Sequence, residues 1–531
     1  MTKKMTRTTM AVALAAMLLV GLNSFAAVNV AFLGAGSSAM FNTFALAAYE
    51  TPINSGGCGN NIWTLKNGAS GVDGRSSGIP LETGNIWIVW DNSSAPTIVC
   101  AYLSVDSVIG NQLFFAQPRA TLSIPSSEIG ENGGNLIPTL SDTALPSAVY
   151  TAINGLKFNA AMTDIRPEDA LFATNRALAK LNNKTYDGLG YGPGPVGTPI
   201  QSSFSTKNAT PVAFALSGTD PITKQNIPAW TTTSVGADPI IVFVNTTVTG
   251  SNGDFSNVAA FQNINRGDLT LAVNGTAAYT RDLTSTPGLD PIPLNVALRE
   301  PTSGTYNTFE FCIPRNVELN STQELGVNPG VNGGNPLDIS NPYSGGWRKR
   351  VIGTGEMVAE VGVSGGANGN VLGYAFWGTG NFASVINNTR YLTVDGVDPL
   401  FANYAGGVFP TCSYPCPGEV QFTNILNGSY PAWSVLRVAT NQKVPAGVFN
   451  LIKAAQAQTQ SFAPDFVPAS QLTVFRDHFQ RPGLAKGTKV ANGVIQGLKE
   501  SGGDEGGLVL NKQGDVDNYT DTGKEITGYE Q

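Results

Sequence analysis

Short apolar segments alternate with helical segments along most of this chain, and this alternation restricts the fold more than any other feature. Residues 28–33 have the pattern of a buried strand, and residues 40–49 that of a helix rich in Ala and Phe. Strands that alternate with helices are typical of α/β layers with parallel sheets. The same patterns predict strands at 86–90, 97–102, 240–245, 293–298, 358–363, 371–376 and 434–438, and helices at 167–181, 305–311 and 446–457, while 108–116 fits either.

The N-terminus has the pattern of an export signal. Lys3, Lys4 and Arg7 precede an apolar stretch at 10–22, and small residues end this segment at Ala26. The apolar stretch is short for a membrane-spanning helix, and no Cys lies near the cleavage position, which disfavours a membrane or lipid anchor. We therefore expect cleavage near Ala26 and a periplasmic or secreted protein.

The mature chain is long for one domain and rich in turn-forming residues. About 505 residues remain after cleavage, which suggests two to four domains, or two with large insertions. The sequence contains 61 Gly and 32 Pro, and loops are expected at 186–199 and 328–347. From 484 onward apolar periodicity is lost, so residues 484–531 are expected to be a disordered tail.

The charge balance disfavours a nucleic-acid partner. The formal net charge is -7, and 13% of the residues are charged. A small anion remains a possible ligand, because local backbone amides and a single Arg can supply a favourable field in an acidic protein.

The cysteines indicate disulfides in an oxidising compartment. Cys412 and Cys416 lie four residues apart in a Pro-containing loop and are expected to be bonded. Cys58 and Cys100 are a plausible second pair, which leaves Cys312 buried and free. A zinc site is the alternative, but the chain has a single histidine, His478, and no second closely spaced Cys pair.

Two early motifs place glycine and hydroxyl groups after predicted strands. The residues Gly-Ala-Gly-Ser-Ser at 34–38 lie between a strand and a helix, where backbone amides can bind an anion. A tight structural turn and a dinucleotide site with Glu50 as its ribose acid are alternatives. Ser107 ends the segment that starts at Tyr102, and it either binds an oxyanion or caps a helix.

Two later motifs carry the charged groups. Asp164 precedes Arg166 and Pro167 at a predicted helix start, where a simple N-terminal cap is the alternative. The segment Arg-Glu-Pro-Thr-Ser-Gly-Thr at 299–305 is the most specific motif. Arg299 offers a planar charged fork, and the Ser-Gly-Thr turn offers hydroxyl and amide donors at a helix start. A capped turn alone does not need the arginine, so this segment favours anion binding.

Over about residues 28–480, these motifs resemble in order and spacing the high-affinity phosphate-binding proteins of ABC transporters, the periplasmic receptors of phosphate uptake. The Arg-x-x-x-Ser-Gly-Thr motif of that family is matched in full. The sequence departs from the family at Ala39, where a bulky aromatic residue is usual. It also departs at Pro301, where an acidic residue is often found, although Glu300 is adjacent. The resemblance implies a phosphate site formed by Ser37, Ser38, Ala39, Ser107, Asp164, Arg299, Ser303, Gly304 and Thr305.

The resemblance also implies a two-domain periplasmic binding protein of type II-like α/β architecture, with the ligand in the interdomain cleft. Domain 1 is expected to comprise 27–238 and 430–483, and domain 2 residues 239–429, with insertions at 51–96, 117–160 and 314–350. Asp164 is expected to accept the proton of phosphate, which sulfate lacks. Such a receptor is expected to be a monomer without enzymatic activity, cofactor or metal, and to deliver phosphate to an ABC transporter permease.

A serine hydrolase and a scaffold or sensor are the two alternatives to a receptor. The pattern Gly-x-Ser-x-Gly at 362–366 follows a predicted strand, as in serine hydrolases, but no helix follows it and the nucleophile geometry fails. A surface or periplasmic scaffold or sensor that keeps the fold without transport is the stronger alternative, because the insertions and the polar tail fit it.

Overall fold

The computed structural model confirms the predicted mixed α/β class. It describes the following residues: 28–76, 79–92, 96–167, 169–171, 173–174, 215–216, 218–220, 223–315, 322–324, 338–340, 344–351, 353–362, 369–410, 419–461, 464–472, 474–476, 488–489, 495–496, 508–510 and 520–521. The predicted export signal, Cys412 with Cys416, His478, the serine of the Gly-x-Ser-x-Gly pattern and most of the predicted tail lie outside these ranges.

The described residues form the following strands and helices, each numbered in chain order. The strands are β1 (Asn29–Gly36), β2 (Asn61–Asp73), β3 (Ile79–Trp90), β4 (Ile98–Ser104), β5 (Thr121–Ser123), β6 (Ala160–Thr163), β7 (Trp230–Asn245), β8 (Asn263–Ile264), β9 (Asn295–Arg299), β10 (Asp338–Ser340), β11 (Trp347–Val351), β12 (Val371–Phe376), β13 (Thr389–Val394), β14 (Trp433–Asn441), β15 (Val467–Pro468), β16 (Val474–Arg476), β17 (Thr488–Lys489), β18 (Ile495–Gln496), β19 (Leu508–Leu510) and β20 (Thr520–Asp521). The α-helices are α1 (Phe41–Glu50), α2 (Ser107–Phe115), α3 (Ser147–Ile153), α4 (Arg266–Val273), α5 (Gly304–Cys312), α6 (Gly353–Gly362), α7 (Thr379–Phe382), α8 (Thr423–Leu426) and α9 (Ala446–Ser461).

The first half of the sheet is built around β1. This strand runs parallel to β4 on one side and to β6 on the other. Its buried residues Phe32 and Leu33 point to opposite faces of the sheet and belong to two different hydrophobic clusters. The parallel order puts the carboxyl ends of β1, β4 and β6 at one edge of the sheet.

The predicted insertion at 51–96 is part of this sheet. Its two strands, β2 and β3, pair with each other in antiparallel fashion, and β3 pairs with β4. A disulfide joins Cys58, which precedes β2, to Cys100 in β4. The predicted pair is therefore confirmed, and Cys312 is buried as expected, with its thiol 4.0 Å from the carbonyl oxygen of Trp433.

We expect removal of this disulfide to lower the free energy of unfolding. The two cysteines are 42 residues apart, and closing a loop of that length stabilises the folded state by about 4 kcal/mol. The Cys58→Ala/Cys100→Ala double variant should therefore lose about 4 kcal/mol of unfolding free energy in urea titrations. The parent under reducing conditions is the control and should approach the variant. A loss below about 1 kcal/mol would contradict this expectation.

Strand β7 connects the two halves of the sheet. From Trp230 to Pro239 it pairs with β14, and from Ile240 to Asn245 it pairs with β12 and β13. The second half continues through β9, which runs parallel to both β11 and β12. Because β7 pairs with strands of both halves, its hydrogen-bond register determines where each half lies along this strand. The domain boundaries given above stay a prediction.

The strand predicted at 358–363 is wrong, since the described part of this segment, 358–362, belongs to α6. The buried positions of α6 are Thr354, Met357, Val358 and Val361, and this spacing of three and four residues defines one helical face. Valines are common in strands, so their frequency in this segment predicted a strand although their spacing fits a helix. The ambiguous segment at 108–116 is a helix, α2.

Among the described residues, no helix combines the length and apolar character that crossing a membrane requires.

Candidate functional site

The residues predicted to bind an anion follow the carboxyl ends of four strands. Ser37 follows β1, Ser107 follows β4, and Asp164 follows β6. Because these three strands are parallel and adjacent, their ends bring the motifs together. Arg299 is the last residue of β9, in the other half of the sheet, and its side chain reaches the same region.

The closest packing in the site joins three motifs that are distant in sequence. The Ser107 hydroxyl donates a hydrogen bond to Asp164 Oδ1 and accepts one from the Asp164 amide at 3.2 Å. Gly304 lies against both groups, because a Cβ at this position would overlap the Asp164 carboxylate and lie 2.6 Å from Ser107 Oγ. The glycine of the Ser-Gly-Thr turn is thus required by close approach across the two halves. We call Ser107, Asp164, Arg299, Gly304 and Thr305 the strand-end cluster.

Arg299 is almost fully buried, with 1% of its surface exposed, and its guanidinium contacts two carboxyl groups. Nε and Nη2 each donate to Glu300 at 2.9 Å, and Nη2 lies 3.2 Å from Asp106 Oδ1. Nη1 donates to Thr305 Oγ1 at 3.1 Å. Glu300 is therefore the acidic partner of Arg299, since Pro301 has no carboxyl group to pair with it.

Burial sets the protonation of the acids around Arg299. Burial alone raises the pKa of Glu300, but the Arg299 guanidinium outweighs this effect and holds that pKa below its usual value. Burial and the nearby Glu300 raise the pKa of Asp106 and of Glu82 well above the usual range. Glu300 is thus the ionised partner of Arg299, while the carboxyl groups of Asp106 and Glu82 are harder to ionise than usual.

Asp164 titrates near neutral pH. Burial raises the pKa of its carboxyl group to about 7, and its backbone amide and Arg299 oppose that rise. A carboxyl group with this pKa can donate a proton to a bound anion below neutral pH and accept one above it. This makes Asp164 a proton-sensing group in the cluster.

Ser37 and Ser303, which were predicted to bind an anion, make local hydrogen bonds with the backbone in this structure. The hydroxyl of Ser37 accepts from the amide of Ala39 at 3.2 Å, and the Tyr102 hydroxyl donates to the Ser37 carbonyl. The hydroxyl of Ser303 caps α5 by accepting from Tyr306 N at 3.4 Å. For Ser107, by contrast, the hydroxyl contacts Asp164, so the helix-cap alternative is wrong at that position.

Three residues at the site were not predicted from the sequence. Thr354 Oγ1 lies 2.9 Å from Ser38 Oγ and 3.4 Å from Arg299 Nη1, so it connects the two halves. Glu82 comes from the insertion, and Asp106 lies directly before Ser107. Asp106 adopts a φ of 90°, which a non-glycine residue rarely adopts, and this backbone places its carboxyl group against Arg299.

A cavity of about 330 Å³ adjoins the strand-end cluster. Its walls come from both halves of the structure, because Ser38 and Asp106 line one side and Thr354 the other. Ser38 is the one predicted site residue among its lining residues. The residues of the strand-end cluster pack against each other beside it.

Comparisons with known proteins give distant likenesses. No protein-family model matches the sequence, and no curated protein matches it significantly. The solved structures that match include an ancestral soluble variant of the human phosphate-binding protein, with 11% identity, a TM-score of 0.33, and coverage of 82% of this chain and 90% of that one. A phosphate-binding protein from Stenotrophomonas maltophilia has 11% identity and a TM-score of 0.30, over 70% of this chain and 84% of that one. An ABC-type phosphate transport receptor from Vibrio cholerae has 14% identity and a TM-score of 0.25, over 47% and 77%. Scores this low decide nothing about function.

Proposed function

We propose that this protein is an exported receptor that binds inorganic phosphate, as a protonated oxyanion, in the strand-end cluster and delivers it to an ABC transporter permease. The observation that carries the proposal is the close approach of Gly304 to Asp164 and Ser107. It brings the Arg-x-x-x-Ser-Gly-Thr motif together with two of the other three motifs of the family resemblance, those of Ser107 and Asp164.

The cluster has the chemistry that a protonated oxyanion needs. Arg299 supplies positive charge, and the hydroxyl of Thr305, which accepts from Arg299 Nη1, can donate its own proton to the anion. The Ser107 hydroxyl orients Asp164 by donating to its Oδ1 atom. Asp164 supplies an acceptor for a proton that phosphate carries and sulfate does not. Because buried polar groups are costly when unpaired, one acceptor that faces a sulfate oxygen is enough to discriminate between the two anions.

One observation favours a scaffold or sensor without transport as the second candidate. The guanidinium of Arg299 is already paired with Glu300 through two hydrogen bonds and contacts Asp106. An anion must therefore rely on hydrogen bonds rather than on an excess of positive charge. A protein that binds no oxyanion at all would fit this second candidate.

The selectivity for phosphate over sulfate is expected to rise with pH. The pKa of Asp164 is raised to about 7. Below that pH the protonated carboxyl group can donate to either anion, while above it the carboxylate repels sulfate and still accepts the proton of phosphate. Titration calorimetry with both anions from about pH 5.5 to about pH 8.5 should show selectivity rising by up to about tenfold per pH unit.

The Asp164→Asn variant tests the assignment of this effect. The amide does not titrate, so we expect the selectivity of the variant to change with pH only as far as phosphate itself titrates, and sulfate to gain relative to phosphate. Asp254→Asn is the matched control, since Asp254 is buried outside the cluster and accepts from Asn370 Nδ2. A parent protein whose selectivity does not change with pH would contradict the role of Asp164.

A further inference from the structure

The cavity beside the strand-end cluster is larger than inorganic phosphate requires. Its volume of about 330 Å³ lies in the range of sites that hold small organic molecules. Asp106 links the cavity to the strand-end cluster, because it contacts Arg299 of the cluster and also lines the cavity. A ligand whose phosphoryl group occupies the cluster has room to place a substituent in the cavity.

The wall of the cavity is acidic and contains a buried carboxyl group that lacks a partner. Glu82 is 6% exposed, and within the described part of the chain its Oε2 atom makes no hydrogen bond. Glu356, on the first turn of α6, and Asp106 add further carboxyl groups to the lining. Lys66 also lines the cavity, but it is solvent-exposed and its ammonium group keeps its hydration.

We propose that the cavity binds the organic part of a small phosphate monoester that ends in an ammonium group. Glu82 would receive this ammonium group, while the phosphoryl group would occupy the strand-end cluster. The inference rests on the proposed function, because it assumes that the cluster binds a phosphoryl oxyanion. It names a different ligand class: an aminoalkyl phosphate rather than the bare anion.

An ammonium group would stabilise the ionised form of Glu82, which its surroundings disfavour. Burial and the carboxylates of Glu300 and Glu356 raise the pKa of Glu82 well above its usual range, and Arg299 only partly opposes this. A cation close to Glu82 would reverse the balance, so the carboxyl group would ionise and form an ion pair. Binding of an ammonium ligand should therefore release the proton that Glu82 holds, whereas a neutral alkyl substituent should not.

Titration calorimetry of the exported protein with three probes tests the inference. O-phosphoethanolamine carries the ammonium group, ethyl phosphate lacks it, and inorganic phosphate lacks the organic part. We expect O-phosphoethanolamine to bind at least about tenfold more tightly than ethyl phosphate. Glu82→Gln should remove this difference, so that the two esters bind the variant with equal affinity. Glu128→Gln, at a partly buried acid outside the cavity, is the matched control and should keep the preference.

A second readout needs no variant. The binding enthalpy of O-phosphoethanolamine to the parent should depend on the ionisation enthalpy of the buffer with one more proton released than for ethyl phosphate, whose titration supplies the contribution of the phosphoryl group itself. Equal affinity for the two esters without proton release would overturn the inference. If inorganic phosphate alone binds, the proposed function stands and this inference fails. If no probe binds, both fail.

Discussion

Arg299→Ala is expected to abolish phosphate binding and to lower the free energy of unfolding by about 3–5 kcal/mol. The side chain is 1% exposed and makes two hydrogen bonds to Glu300, which is also buried. Removal of the guanidinium leaves that carboxylate without its counter-charge in a site shielded from water. The loss of stability is therefore a consequence of breaking the pair, whatever the site binds. Urea unfolding and titration calorimetry on the same preparation measure the two effects.

A double variant separates the loss of binding from the loss of stability. Arg299→Met/Glu300→Gln removes both charges and keeps most of the buried volume, so we expect it to recover most of the stability. It should still not bind phosphate, because the positive charge and the donors of Arg299 are gone. If the double variant folds and binds phosphate like the parent, Arg299 is not part of the ligand site.

The second large effect is expected for Gly304→Ala. The backbone of Gly304 is not in the left-handed region, so its conformation permits alanine, but the added methyl group would overlap the Asp164 carboxylate. Such overpacking costs about 1–3 kcal/mol of unfolding free energy. We expect phosphate affinity to fall by more than about 100-fold, since the methyl group separates the two halves where they form the cluster.

Gly267→Ala is the matched control for this substitution. Gly267 lies in the first turn of α4, and an added Cβ would meet no atom within 4 Å. Alanine is expected to leave binding unchanged and to add up to about 1 kcal/mol of stability, because it restricts the unfolded chain. Binding of phosphate by Gly304→Ala with the affinity of the parent would show that the close packing at Gly304 does not form the site.

The sequence predicted the α/β class and most of the elements that position the site, because local patterns determine both. The buried strand before Gly34, the helix after the Ser-Gly-Thr turn and β12 lie close to where their apolar patterns placed them. The error at 358–363 has a local cause too. A stretch of valines has the composition of a strand, and only the spacing of Met357, Val358 and Val361 shows a helical face.

The electrostatics of the site could not be predicted in the same way. The segment at 299–305 identified Arg299 as a charged fork, but not that Glu300 and Asp106 already engage it. Glu82 belongs to a strand of the insertion, more than 200 residues from Arg299 in the sequence. Nothing local to Glu82 indicates that the pairing of β3 with β4 brings it near the cluster. The raised pKa of Asp164 likewise follows from burial by both halves.

Titration calorimetry of the exported protein, freed of ligand by unfolding and refolding with its disulfide intact, tests the central claim most directly. At about pH 8.5, phosphate should bind and sulfate should bind at least about 100-fold more weakly, because an ionised Asp164 accepts the proton of phosphate and repels sulfate. If the protein binds neither anion, or binds both equally, it is not a receptor that recognises a protonated oxyanion.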